Sequence, residues 1–153
     1  MVRVMFVCLG NICRSPAGEG MLQYLAKKFR CPVNLEIESS GIGDWHVGQL
    51  PDSRMREAAL KRGITLVSRA QAFKTDHFDM FDFVLAADHE VMNDLYRYAR
   101  SPLDKSKIHL ITAFGTTYRG EEIPDPYYGG ARDFDLVLDM LEDSCEGFLQ
   151  EFI

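Results

Sequence analysis

A short apolar run, Val2 to Val7, ends at Cys8 and leads through one brief loop to the serine–proline pair Ser15-Pro16. The run is rich in β-branched residues and does not alternate, so it reads as a strand buried on both faces. Serine as N-cap with proline at the first helical position is a strong helix start. A doubly buried strand feeding directly into a helix belongs to a layered α/β architecture, in which helices cover both faces of a sheet.

The rest of the chain repeats this alternation. Met21, Leu22, Leu25 and Phe29 follow at helical spacing to about Arg30, and Pro32 stops the helix. Val33 to Ser39 alternates as a second strand. Residues 40–53 form a glycine-rich loop holding the only tryptophan, Trp45. Asp52 or Ser53 caps a helix to Arg62, with Gly63 as its stop. Phe81 to Ala87 is a third strand, Asp88 or His89 opens a helix through Tyr98, and Lys107 to Thr112 is a fourth strand. After an irregular stretch, the last helix spans about Phe134 to Phe152. Phe134, Val137, Leu141, Cys145, Phe148 and Phe152 lie on one stripe. The order β-α-β-α-β-α-β-α predicts a parallel sheet covered on both faces. A chain of 153 residues, 46% of them apolar, suits one domain over 1–153.

Composition narrows the partners. Net charge is −6, and no basic footprint for nucleic acid is present. The acidic residues near the C-terminus read as a solvated helix face. No apolar run reaches the roughly 18 residues of a membrane span, and the N-terminal segment is a poor signal peptide, so the chain is expected in the cytosol. Neither Cys8, Cys13, Cys31 and Cys145 nor His46, His77, His89 and His109 have zinc-site spacing. No metal or cofactor is expected. The doublets Asp76-His77 and Asp88-His89 read as surface polar residues near helix starts.

In parallel sheets ligands bind beyond the carboxyl ends of the strands. The loop after the first strand, residues 8–15, carries C-x5-R followed by Ser15. Gly10 and Asn11 allow positive φ, so the loop amides can converge into an anion nest at a helix N-terminus. Arg14 adds a planar fork for two phosphate oxygens. The same field favours a nucleophilic thiolate at Cys8, and the Ser15 hydroxyl can donate to that sulfur. This set suits in-line attack on phosphorus, a phosphocysteine intermediate and its hydrolysis. Asp125, stiffened between Pro124 and Pro126 and followed by Tyr127 and Tyr128, is the candidate general acid for an aryl-oxygen leaving group. Cys13 lies close enough along the curled loop to form a disulfide with an oxidised Cys8.

The segments "VCLGNICRSPAGEG" and "DPYYGG", with "SSG" after the second strand, the Trp45 loop and Asp88 after the third strand, resemble the low-molecular-weight protein tyrosine phosphatase family over nearly the whole chain. The resemblance implies a single-domain three-layer fold, a four-stranded parallel sheet flanked by helices, of flavodoxin-like topology. It implies Cys8 as nucleophile, Arg14 as phosphate clamp and Asp125 as general acid. Asn11 and Ser15 match loop-ordering and thiolate-stabilising residues within the loop Leu9, Gly10, Asn11, Ile12, Cys13 and Ser15. Leu9, Ile12, Trp45, Tyr127 and Tyr128 match positions walling the substrate cleft. The substrate implied is a tyrosine-phosphorylated protein, a tyrosine kinase among the candidates, handled by a monomer or weak dimer. Many members carry a histidine tied to the phosphate loop where Ser68 stands here, so the loop's support is expected to differ.

Three alternatives use the same loop. An arsenate reductase would carry two further redox cysteines near the third strand, and residues 82–98 have none. A protein-arginine-phosphate phosphatase tends to have a smaller polar residue where Ile12 sits. A non-catalytic phosphopeptide-binding or redox-sensing module would have lost catalytic residues, and none is lost.

Overall fold

The computed structural model describes all residues 1–153. Its four strands are β1 (Val2–Cys8), β2 (Leu35–Gly41), β3 (Phe83–Ala86) and β4 (Ile108–Leu110). They form one all-parallel sheet in the order β2-β1-β3-β4. β1 is central, and the chain leaves it first to one side and then to the other. The switch point of the sheet therefore lies at the carboxyl end of β1, where Cys8 stands.

The absence of alternation in β1 has its expected cause. Val4 and Phe6 belong to the larger core cluster, with α1 (Arg14–Lys28) and α6 (Ala131–Gln150). Met5 and Val7 face the smaller cluster, with Phe78 of α3 (His77–Met80) and Val91 and Leu95 of α4 (His89–Tyr98). β3 divides likewise: Leu85 goes to the first cluster, Val84 and Ala86 to the second. The predicted three-layer architecture is the one observed. No helix is long and apolar enough to cross a membrane.

Several local expectations are corrected. The first helix starts at Arg14 with Cys13 as N-cap, so Ser15 lies inside the helix and does not cap it. Its hydroxyl is engaged at the site described below. The same serine–proline signal is a true cap elsewhere. Ser101 accepts a bond from Asp104 N at 3.1 Å, with Pro102 opening α5 (Pro102–Ser106). α3, α5 and a 3-10 turn at Ile111–Phe114 were not expected, because elements of four or five residues are too short to show a period. α1 ends at Lys28 and leaves Phe29 exposed, with Arg30 in the left-handed region. His77 is buried, not on the surface. α2 (Ser53–Leu60) is capped by Asp52 as expected, and its last predicted turn is not helical.

The stripe predicted for α6 is buried from Phe134 to Phe148, and the helix starts three residues earlier, at Ala131. Part of its acidic face is used. Asp133 accepts from Gly130 N at 2.7 Å, and Asp139 pairs with Arg62 at 2.9 Å. Asp143 gathers the backbone amides of Thr116, Thr117 and Tyr118. Burial would raise the Asp143 pKa, but these bonds outweigh it and hold the carboxyl below its usual range.

The helix lies very close to the 3-10 turn. A Cβ on Gly147 would come within 1.7 Å of the Phe114 carbonyl oxygen. Gly147→Ala gains about 1 kcal/mol of helix propensity, yet the backbone clash outweighs it. The expected result is a net destabilisation of about 1–3 kcal/mol, read as a lower urea midpoint. A midpoint at or above the parent's would show that the turn yields freely.

Candidate active site

Residues 8–15 curl over the carboxyl end of β1 because Asn11 takes a left-handed conformation, φ 57°. Gly10 does not adopt positive φ, contrary to expectation; Asn11 alone makes the turn. Gly41, at the end of β2, allows the loop to lie close, since a Cβ there would meet Asn11 N and Leu9 O at 3.0 Å.

Inside the loop the polar groups converge on the Cys8 sulfur. Asn11 N donates to Sγ at 3.3 Å, and Ser15 Oγ lies 3.0 Å from it. Asn11 Nδ2 donates to Ser15 Oγ at 2.7 Å. With its lone pair so occupied, the hydroxyl has its proton free for the sulfur or for Ser40 O, at 3.3 Å. One backbone donor and one hydroxyl able to donate would suit a sulfur that carries negative charge. The other end of the Asn11 side chain accepts from Gln71 N at 2.9 Å. Loop support therefore comes from the backbone of Gln71. Ser68, expected to change that support, makes no hydrogen bond to the loop.

Arg14 is 97% buried. Its Nη1 donates to Asp88 Oδ2 at 2.6 Å and to Ile123 O at 2.9 Å. Nη2 lies 4.0 Å from Asp125 Oδ2. Burial would lower the Arg14 pKa, but the charges of Cys8, Asp88 and Asp125 outweigh it and hold the guanidinium above its ordinary value. Asp88 was read as a helix-start residue and as one mark of the family resemblance, with no partner assigned to it. It does cap α4, through Oδ1 to Val91 N at 2.8 Å, but its other oxygen fixes Arg14.

These groups open into a cleft of about 270 Å³. Cys8 and Cys13 both line it, and they are not joined in a disulfide. Burial, with Asp52 adding, pushes the Cys13 thiol up. Leu9, Gly10, Ile12 and Arg14 line the loop side. Trp45 and Tyr127 stand on the walls with Asp125, and Tyr128 packs edge-on against Tyr127 at 5.0 Å between centroids. All twelve residues singled out in the sequence meet here, with Asn11 and Ser15 beneath the loop rather than on the cleft surface. His46 also lines the cleft, beside Gly10. Its position next to Trp45 in the glycine-rich loop was the only sequence signal for it. Gln71 and Arg54, which support the site from outside, left no signal in the sequence, and Asp52 showed only as a helix cap.

The family model described as "Low molecular weight phosphotyrosine protein phosphatase" matches residues 3–152. The low molecular weight phosphotyrosine protein phosphatase of Gallus gallus is 35% identical over 149 residues, covering 97% of this chain and 94% of the relative. The crystal structure of a protein tyrosine phosphatase from Entamoeba histolytica, with Hepes in its active site, gives a TM-score of 0.94 at 36% identity. That match covers 99% of this chain and 96% of the other. The drosophila arginine phosphatase DARP gives 0.90 at 30% identity, covering 97% and 96%. With a family model matched almost end to end and relatives alike over nearly their whole length, this chain belongs to the low molecular weight phosphotyrosine protein phosphatase family.

Proposed function

We propose that the protein hydrolyses phosphotyrosine in proteins through a phosphocysteine on Cys8. The observation that carries this reading is a sulfur in an aromatic-walled cleft, with Asn11 N donating to it and Ser15 Oγ 3.0 Å away. Cys8 Sγ attacks phosphorus in line, the P–S bond forms and the P–O(aryl) bond breaks. Asp125 gives its proton to the departing phenolate. Arg14 holds the phosphoryl oxygens through the face of its fork not taken by Asp88. In the second step the Asp125 carboxylate takes a proton from water, which attacks phosphorus. The P–S bond breaks, inorganic phosphate leaves and Ser15 supports the departing thiolate.

Trp45, Tyr127 and Ile12 offer apolar surface to the aryl ring, and the depth of Cys8 disfavours the shorter phosphoserine. The substrate is a tyrosine-phosphorylated cytoplasmic protein, and an autophosphorylated tyrosine kinase fits that description. Regulation by peroxide belongs to the same reading. Peroxide oxidises Cys8 to a sulfenic acid, which condenses with the Cys13 thiol, losing water, to a disulfide that an external thiol reduces.

A second reading, hydrolysis of phosphoarginine, is favoured by the likeness to the drosophila arginine phosphatase. Steady-state hydrolysis of phosphotyrosine, phosphoserine and phosphoarginine peptides, with EDTA present, separates the readings. Selective phosphotyrosine turnover is the expected result. A preference for phosphoarginine would keep the mechanism and overturn the substrate, and turnover of none would overturn both.

A further inference from the structure

Asp125 has little support of its own. Its side chain is 48% exposed, and one carboxylate oxygen accepts a single bond, from Tyr127 N at 3.1 Å. The direction of the carboxylate therefore depends on where Tyr127 is held. The Tyr127 ring is covered by the Arg54 guanidinium, 5.4 Å from its centroid. The same guanidinium lies 4.8 Å from the centroid of Phe134, a fully buried anchor in α6. A planar cation over aromatic faces is a contact that arginine makes and lysine reproduces poorly.

Arg54 is itself fixed. Its Nε and Nη2 donate to the two carboxylate oxygens of Asp52 at 3.1 and 3.0 Å, and its backbone N donates to the same side chain at 2.8 Å. Asp52 N donates to Ile12 O at 2.8 Å, inside the phosphate loop. A continuous path thus runs from the loop that holds the nucleophile to the acid: Ile12, Asp52, Arg54, Tyr127, Asp125. None of these links is evident in the sequence, where Asp52 and Arg54 look like the start of an ordinary exposed helix.

We propose that Arg54 is a positioning residue for Asp125, registering the acid loop against the phosphate loop by gripping Tyr127 while tied to Asp52. It touches neither substrate nor the reacting atoms. This inference rests on the phosphatase reading, and the two have distinguishable failures. A misplaced acid harms a poor leaving group and spares a good one. Phenyl phosphate needs its leaving oxygen protonated; 4-nitrophenyl phosphate releases a stable anion without that help.

The test is kcat/KM for both esters in Arg54→Met. Phenyl phosphate is expected to fall by about 10- to 100-fold, as for a small misplacement of a catalytic group, while 4-nitrophenyl phosphate changes far less. In an Asp125→Asn background the same substitution should leave the ratio of the two esters unchanged, because the two residues act through one step. Arg54→Lys keeps the charge beside Asp52 without the planar face, so it should fall between parent and Arg54→Met. It carries the comparison alone should the methionine variant not fold.

An equal fall on both esters, no fall at all, or an undiminished change of ratio without Asp125 would overturn the proposal while leaving the phosphatase reading intact. If the parent protein hydrolyses neither ester, the phosphatase reading fails and the proposal falls with it.

Discussion

Cys8→Ser binds inorganic phosphate as the parent does but turns over a phosphotyrosine peptide on the order of 10⁴-fold more slowly, or not at all, as expected when a nucleophile is removed. The reason lies in what faces position 8. The two groups within hydrogen-bond reach of Sγ are Ser15 Oγ and Asn11 N. Both lie where they can hydrogen-bond the sulfur, and neither is a base able to take the proton of an alcohol. A serine hydroxyl needs such a base to become a nucleophile, and the site offers none beside position 8. Phosphate affinity survives because Arg14 keeps its bonds to Asp88 and Ile123. Peptide hydrolysis measures the first property, and the shift of the thermal midpoint with added phosphate measures the second. Activity within tenfold of the parent would place the nucleophile elsewhere.

Asp125→Ala lowers kcat by about 10²–10⁴-fold, the usual contribution of a positioned acid–base group. It does so with little change in stability. The carboxylate is half exposed and accepts one hydrogen bond, and its approach to Arg14 is 4.0 Å, too long to add much at such exposure. Pro124 and Pro126 keep the backbone extended without it. Both chemical steps need a proton moved at this place, so the loss differs between esters. With a poor leaving group the first step slows. With a good one the second step limits, and phosphate accumulates on Cys8. Rapid quenching with labelled substrate would show that covalent species. A fall of less than tenfold would move the acid role elsewhere; Asp88 is a poor substitute, since both its oxygens are engaged by Arg14 and Val91.

Whatever depends on neighbours along the chain was legible in the sequence. The nearly continuous apolar run of β1, the stripe of α6 and the helix-start signals at Asp52 and Asp88 each report a local pattern or a local cap, and each stands where it was expected. The short path from Cys8 to Arg14 is local too, because C-x5-R spans one turn between a strand and a helix. Asp125 was found because two prolines and two tyrosines mark its loop.

What the tertiary structure decided is how those pieces hold one another. Ser15 carries a strong capping signal, yet its hydroxyl faces Cys8 and Asn11, because Asn11 curls the loop and the helix starts two residues earlier than that signal implies, at Arg14. Ser101 carries the same signal and caps as the rule says. Arg14 meets Asp88 across 74 positions and Ile123 across 109, and Asn11 meets Gln71 across 60. A hydrogen bond between residues so far apart leaves no periodicity and no spacing to read. It exists because parallel strands bring the carboxyl ends of β1 and β3 to one edge of the sheet, and the returning loops are packed against that edge by α6. Local sequence specifies elements through the geometry of a few consecutive residues, whereas the relative placement of charges comes only from the packing of the layers around them.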